Sequence, residues 1–438
     1  MMTVLIMRYT NNMPNSSENR CLVVPGIFLP YNDTVTQLVY KQLRLLPFEF
    51  DVCALSGPTE DPELKTLLQN DPCYAQFHCR YVGKYQDVLF SIDNINLFKG
   101  LANMQRYINS AVKSFNGQKL LYTSSFPCYT TRVGVILKQK YPELIWIANF
   151  SDPINHSPYK YDKDTYSEYS LLQKVAFKLY CHYYVVDKDE ANAFEHADLL
   201  VFICEEQRDY MLEQYMKYYG AVTKETILKK SVIVPLNYIP EWNLVSRSEQ
   251  GITGQHQSCF VLSHFGRVYG LRKIEEFIYA CAAFRDKHPD IQFLVQQYGE
   301  FRQKDILLIK QLNMMDYFQI NKKIPYRNCI QKMNESNAVI LFDTILPDNQ
   351  IQPYLPSKII EYSLLKKDTL AVATKHSPTY RIMNGSDAVV CSYNRDDILR
   401  GLELIIIDHK PSIINYCETN FDAVQELSAK ISEQMKKV

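Results

Sequence analysis

The chain has 438 residues, 47% of them hydrophobic and 22% charged, with 48 Lys and Arg against 48 Asp and Glu. That length exceeds one ordinary domain and predicts two or three of about 150 residues each. Zero formal net charge removes the surplus of cations that a nucleic-acid binder needs, and the aromatic content is far from the disordered class.

The twelve cysteines are scattered, often inside apolar runs such as LLVFICEE and YACAAF, with no CxxC and no zinc spacing. They are expected as reduced, buried side chains of a cytoplasmic protein. MMTVLIMRYT is too short an apolar run for a signal peptide, and no segment is long and apolar enough to span a membrane.

Short apolar runs alternate with helical patterns, which predicts an α/β architecture with parallel sheets. The first strand is read at 21–24, followed by a helix from Val35 to Leu43 and a strand ending at Leu55. Further strands are expected at 88–92 and in runs ending at Ser125, Phe150, Cys204 and Leu236, with helices over 131–140 and 205–219. LLQKVAFKLYCHYY reads as an amphipathic helix, suited either to a membrane surface or to packing on its own sheet. The polar stretch SRSEQGITGQHQS, 246–258, divides the chain into a domain over 1–245 and another over 259–414. The second contains CFVLSHFG, IQFLVQQYG, NAVILFD and DTLAVAT as strands, and 415–438 reads as an amphipathic helix that packs back on the first domain. Two doubly wound domains of this kind bind ligands outside the carboxyl ends of their strands.

Three segments there carry polar chemistry. In HFGRVYGLRKIEEF, Gly266 ends a strand, a helix is expected from near Leu271, and Arg267 and Lys273 flank the turn as candidate diphosphate ligands. From this segment alone the same two cations read first as solvated surface groups. In YLPSKIIEYSLL, Ser357 stands at a helix start, with Lys358 and Glu361 three residues apart on one face. A cation there suits phosphate and a carboxylate suits hydroxyls, although a surface ion pair would look the same. WIANFSDPINHSPY brings Asp152, Asn155 and His156 to a strand end, where they could orient a hydroxyl or relay its proton, or simply build a turn. His264 and His376 could also line the cleft, but read first as structural. The D-x-D pairs Asp162/Asp164 and Asp187/Asp189 read as solvated, which leaves no metal site.

In this order the segments resemble the GT-B glycosyltransferases, specifically the retaining family four. LIWIANFSDPI is similar to K-W-I-A-D-F-R-D-P-W, HADLLVFICEEQRDYML to A-D-x-x-x-x-x-S, and FGRVYGLRKIEEFIYA to G-R-x-x-x-x-x-K. IPYRNCIQKMNESNAVILFD resembles V-P-Y-x-E followed by A-D-V-L-L, and LPSKIIEYSLLKKDTLAV resembles P-S-K-x-x-E-Y-L-A-x-x-K-P-I-L-A. The resemblance implies two Rossmann-like domains facing across a cleft and transfer of a sugar, with retention, from a nucleoside diphosphate sugar to an acceptor hydroxyl. It implies that Gly266, Arg267 and Lys273 grip the diphosphate, that Glu361 holds the ribose, that Ser357 and Lys358 sit by the phosphates and that the loop of Ile324 and Tyr326 meets the base. No metal or cofactor is implied, only the donor, with UDP favoured. The implied setting is surface glycan, capsule or lipid-linked oligosaccharide assembly, on a glycan, glycolipid or protein-linked acceptor, with peripheral contact at the inner membrane face as a further option. Pro353 stands where many members have a second Glu, Asn149 and Ser151 replace Asp and Arg, and Gly26 is the remnant of a glycine-rich turn. These departures keep open a GT-B protein that binds nucleotide or partner without transfer; a GT-B sugar-nucleotide epimerase, which shares the fold, is a further alternative.

Overall fold

The computed structural model describes residues 19–31, 34–57, 60–85, 97–125, 129–154, 156–161, 170–183, 188–239, 242, 259–347, 349–386, 388–416 and 421–437. The strand expected at 88–92, the linker 246–258, Asn155, Asp162, Asp164 and Asp187 lie outside them.

Two parallel sheets organise the chain. The first has seven strands in the order β3-β2-β1-β4-β5-β6-β7. These are β1 (Arg20–Ile27), β2 (Glu49–Ser56), β3 (Phe77–Lys84), β4 (Leu120–Ser124), β5 (Ile145–Asn149), β6 (Leu199–Phe202) and β7 (Ser231–Ile233). The second has six, in the order β10-β9-β8-β11-β12-β13. Its strands are β8 (Phe260–Phe265), β9 (Phe293–Tyr298), β10 (Phe318–Asn321), β11 (Ala338–Phe342), β12 (Asp368–Val372) and β13 (Val389–Cys391). Both orders reverse beside their first strand, at β1/β4 and at β8/β11. A doubly wound sheet leaves its ligand crevice at such a switch point, outside the carboxyl ends of the strands.

Central strands are covered on both faces: every residue of β4, β5 and β11 is buried, and apolar side chains dominate them. The helix Glu275–Lys287 contributes Phe277, Ile278, Cys281 and Phe284 to the second core, against Phe293, Ile340 and Leu370. The described residues of Met1–Ser157, Tyr169–Asn237 and Asn420–Val438 form one compact unit, and those of Pro158–Glu168 and Tyr238–Thr419 a second. The last helix, Phe421–Met435, buries Val424, Leu427 and Ile431 on one stripe, and Lys430 Nζ donates to the Ser231 carbonyl at 2.7 Å. It starts later than the sequence suggests, since Asn415 and Tyr416 are not helical.

The first strand is also longer than read. Its register against β2 shifts between Val23 and Gly26, a bulge that accommodates Pro25 inside a central strand. Gly26 has φ +81°, and its N–H donates to Tyr107 Oη at 3.1 Å, while that hydroxyl donates to the Cys53 carbonyl at 2.9 Å. The glycine serves the strand and not a turn beyond it.

Candidate functional site

At the carboxyl end of β8 the chain passes through 266–274 before the helix Glu275–Lys287, which begins four residues later than the sequence suggests. Gly270, at φ +50°, and Arg302, whose Nη1 donates to the Gly270 carbonyl at 3.3 Å, keep this stretch out of the helix. Gly266 has φ +137°; its N–H donates to the Tyr298 carbonyl at 3.0 Å and its carbonyl accepts from Gln297 Nε2 at 2.7 Å. Gly299, at φ +139°, packs so closely that a Cβ there would lie 2.2 Å from the Gly266 oxygen.

Beneath the turn, Arg302 forms a two-toothed pair with buried Asp305, both bonds 2.7 Å, and reaches Glu275 at 2.9 Å. Lys304 and Tyr393 also meet Glu275, at 3.0 and 2.9 Å. Burial pushes the Glu275 carboxyl up, but these hydrogen bonds and cations outweigh it and hold the group at about 2.

Arg267 is exposed and pairs with Glu300 at 3.0 Å. Its guanidinium lies 5.6 Å from the Tyr269 ring centre, and that of Arg272 lies 5.5 Å from the same ring. Arg272 Nη1 donates to the Arg267 carbonyl at 3.3 Å. Tyr269 stacks in turn on Tyr159, whose hydroxyl meets Thr344 Oγ1 at 2.8 Å and whose ring meets Tyr354 edge-on. Lys273 is half-buried, one residue before the helix N-cap.

Under the switch point lie His264 and Asp343, both buried. His264 Nδ1 shares a 2.7 Å hydrogen bond with Gln297 Oε1. Burial, reinforced by the nearby Arg272 and Lys358 charges, lowers this imidazole to about 4 despite Gln297. Asp343 Oδ1 accepts from the Thr344 N–H at 2.7 Å and from Gln352 Nε2. Burial raises its carboxyl to about 6, against the pull of Thr344, the Thr379 and Ser377 hydroxyls and Arg272.

The structure thus gathers Gly266, Arg272, Lys358, His264 and Asp343 around one strand-end region. Lys358 opens the helix Lys358–Leu364, and Ser357 precedes it without a side-chain cap bond. Glu361, in its first turn, accepts from the Tyr326 hydroxyl at 3.2 Å, which joins the Ile324–Tyr326 loop to the carboxylate. Ile324 is half-buried, and its carbonyl accepts from the Cys329 thiol at 3.7 Å. Sequence reasoning passed over Arg272, Asp343 and Tyr159. Arg272 stands beside Lys273, and only the position of its guanidinium distinguishes the two; nothing in the sequence pairs Tyr159 with Thr344, 185 positions away.

Asp152 and His156 belong to the other unit. Asp152 is exposed. His156, at φ +50°, stacks on Tyr218 at 3.9 Å with an interplanar angle of 7°, and its carbonyl accepts from Tyr210 at 2.6 Å. Asn149 and Ser151 are buried, and their side-chain polar atoms, with Ser124 Oγ, find no hydrogen-bond partner among the described residues. Asp189 is not solvated: it is buried and paired with Arg132 at 2.7 Å, with burial raising its carboxyl to about 6. Among the described residues no group of three or more His, Cys, Asp or Glu could hold a metal ion.

No family model matches the chain, and no curated protein matches it. Solved structures do. A trehalose-6-phosphate phosphatase N-terminal domain from Candida albicans is similar at 10% identity and TM-score 0.59, over 98% of this chain and 95% of that one. A trehalose-6-phosphate structure from E. coli bound with UDP-2-fluoro glucose is similar at 10% identity and TM-score 0.58, over 95% and 97%. The catalytic domain of starch synthase IV from Arabidopsis thaliana, bound to ADP and acarbose, is similar at 8% identity and TM-score 0.56, over 96% and 99%. With two doubly wound parallel units, the chain has the GT-B fold.

Proposed function

We propose that the protein is a glycosyltransferase that takes a sugar from a nucleoside diphosphate sugar, with UDP the favoured nucleotide. The observation that carries this reading is the gathering of Arg272 and Lys358 around the β8/β11 switch point, at the Gly266 turn. A diphosphate placed there would meet Arg267, Arg272, Lys273 and Lys358, which offset the charge that develops as the bond between the sugar and the phosphate oxygen breaks. Glu361, already accepting from Tyr326, would take the ribose hydroxyls, and the Ile324–Tyr326 loop would meet the base. The acceptor oxygen then bonds to the anomeric carbon from the face the diphosphate leaves, and its proton passes to that departing group. The solved structures with UDP-2-fluoro glucose or ADP support a nucleotide of this class as the ligand. Surface glycan or lipid-linked oligosaccharide assembly fits as the setting.

Nucleotide binding without transfer is the competing reading, supported by buried Pro353 where a second carboxylate would stand and by uncharged Asn149 and Ser151. Thermal unfolding against UDP-, GDP-, ADP- and dTDP-sugars, with and without magnesium, tests both. A midpoint raised by one nucleotide class, insensitive to metal, together with donor consumption, is the expected result. A shift without any donor consumption, with acceptors supplied, would select the competing reading, and no shift at all would overturn the site. Arg272→Ala and Arg267→Ala should each reduce turnover with the fold intact, and unchanged turnover would remove that residue from the diphosphate site.

A further inference from the structure

We infer that Tyr159 is a positioning residue of the donor site: through Tyr269 it holds the guanidinium groups of Arg267 and Arg272 at the turn proposed to take the diphosphate. The inference rests on that reading of the Gly266 turn. Pro158–Glu168 comes from the first half of the chain, between two stretches of the first unit, yet belongs to the second. Its described part, the short helix Pro158–Tyr161, carries Tyr159. The hydroxyl of this residue shares a 2.8 Å hydrogen bond with Thr344 Oγ1. Its ring meets Tyr354 edge-on at 5.3 Å and stacks on Tyr269 at 5.5 Å, with an interplanar angle of 28°. Thr344 and Tyr354 are fixed in turn by buried side chains: the Thr344 N–H donates to Asp343, Gln352 donates to the same carboxylate, and the Tyr354 N–H donates to Gln352. The seat of Tyr159 is therefore anchored in the core of the second unit.

Tyr269 leans on that seat. It is 42% exposed, stands outside any helix or strand, and has the Tyr159 ring against its own. Both guanidinium groups gather at this one ring, 5.6 and 5.5 Å from its centre. Bringing like charges together is unfavourable, and a long arginine side chain loses rotamer freedom when it is held. The negative face of an aromatic ring attracts cations, so a fixed Tyr269 offsets both costs before any ligand arrives. A diphosphate then meets donors already in place, and less of its binding free energy goes into ordering them. Without Tyr159 the Tyr269 ring is free to swing, and the ligand itself must order both arginines. The loss falls on a diphosphate more than on a monophosphate, which offers the arginines one phosphate group instead of two.

The test is titration calorimetry of the full chain with UDP, GDP, ADP and dTDP, each beside its monophosphate. Tyr159→Leu, which keeps apolar bulk but removes the ring and the hydroxyl, should weaken the preferred diphosphate about tenfold and its monophosphate much less. Tyr159→Phe restores the stack and should recover most of that loss. Tyr269→Ala should cost as much as Tyr159→Leu, and the double variant no more than Tyr269→Ala alone, because one residue acts through the other. Tyr269 is exposed, so its variant carries the test even where Tyr159→Leu does not fold. Equal weakening of diphosphate and monophosphate, additive losses in the double variant, or a diphosphate preference that Tyr269→Ala leaves intact would each overturn the positioning role. If wild type binds no diphosphate more tightly than its monophosphate, the diphosphate reading of the turn falls, and this inference with it.

Discussion

His264 and Asp343 stand at the ends of neighbouring strands, and burial moves their proton equilibria so that their effects on stability oppose each other. The folded chain resists protonating His264 until about pH 4, whereas an unfolded chain does so near 6.5. Its contribution is therefore complete above pH 6.5 and is lost as pH falls toward 4. Asp343 takes its proton near 6 when folded, against 3.8 when unfolded, so its buried charge opposes folding above pH 6 and that cost disappears as pH falls toward 3.8. Asp343→Asn removes this second effect while keeping an oxygen for the Thr344 and Gln352 donors. The variant should be more stable than wild type at pH 7, by up to about 3 kcal/mol, with the gap closing as pH falls from 6 toward 4. Its own stability should then fall more steeply than wild type's between pH 6.5 and 4, where His264 acts without a counterweight. Unfolding in denaturant across that range reads both effects; parallel curves for the two proteins would place the Asp343 proton elsewhere.

At the scale of elements, the turn 266–274 is shaped from below. Any side chain at position 299 would meet the Gly266 backbone oxygen, and a backbone atom cannot swing aside as a side chain can. Gly299→Ala should cost about 2 kcal/mol or more and displace the Gly266 carbonyl. The expected signature is a lowered midpoint together with loss of the nucleotide-induced shift. Arg302→Ala acts on the same turn by another route: it leaves buried Asp305 without its cation, at a cost of about 3–5 kcal/mol. If Gly299→Ala keeps full nucleotide response, the turn tolerates more movement than its close packing implies.

The same elements explain what could be read from sequence. Strands buried on both faces, such as β11 with AVILF and β5 with IWIA, contain continuous apolar runs and stand out. The missed strands are β3, β10 and β13: two of them are exposed along much of their length, and the third has only three residues. All three lie at or beside an outer limit of the described sheets, where a strand shows water one face or one edge and keeps no apolar signature. Site residues followed the same logic. The places of Gly266, Lys358 and Glu361, after β8 and in the helix before β12, are legible because strong strands flank them. Arg272 and Asp343 owe their place to burial and side-chain direction, which spacing does not encode.

For the molecule as a whole, the helix Phe421–Met435 ties chain order to stability in an unusual way. It follows the second unit in sequence but is part of the first, with Leu427 and Ile431 fully buried and Lys430 bonded to the Ser231 carbonyl. Calorimetry of the full chain should therefore resolve two transitions that respond to different perturbations. Leu427→Ala, a core truncation of about 2–5 kcal/mol, should lower the first unit's transition and leave the second's in place. A nucleotide bound at the Gly266 turn should raise the second unit's transition by mass action and leave the first's in place. Independent movement would show that donor binding and the terminal helix act on separate cooperative blocks. A single transition that answers to both would instead show that the units unfold together, so that stability lost at the chain's last helix is felt at the Gly266 turn proposed to bind nucleotide.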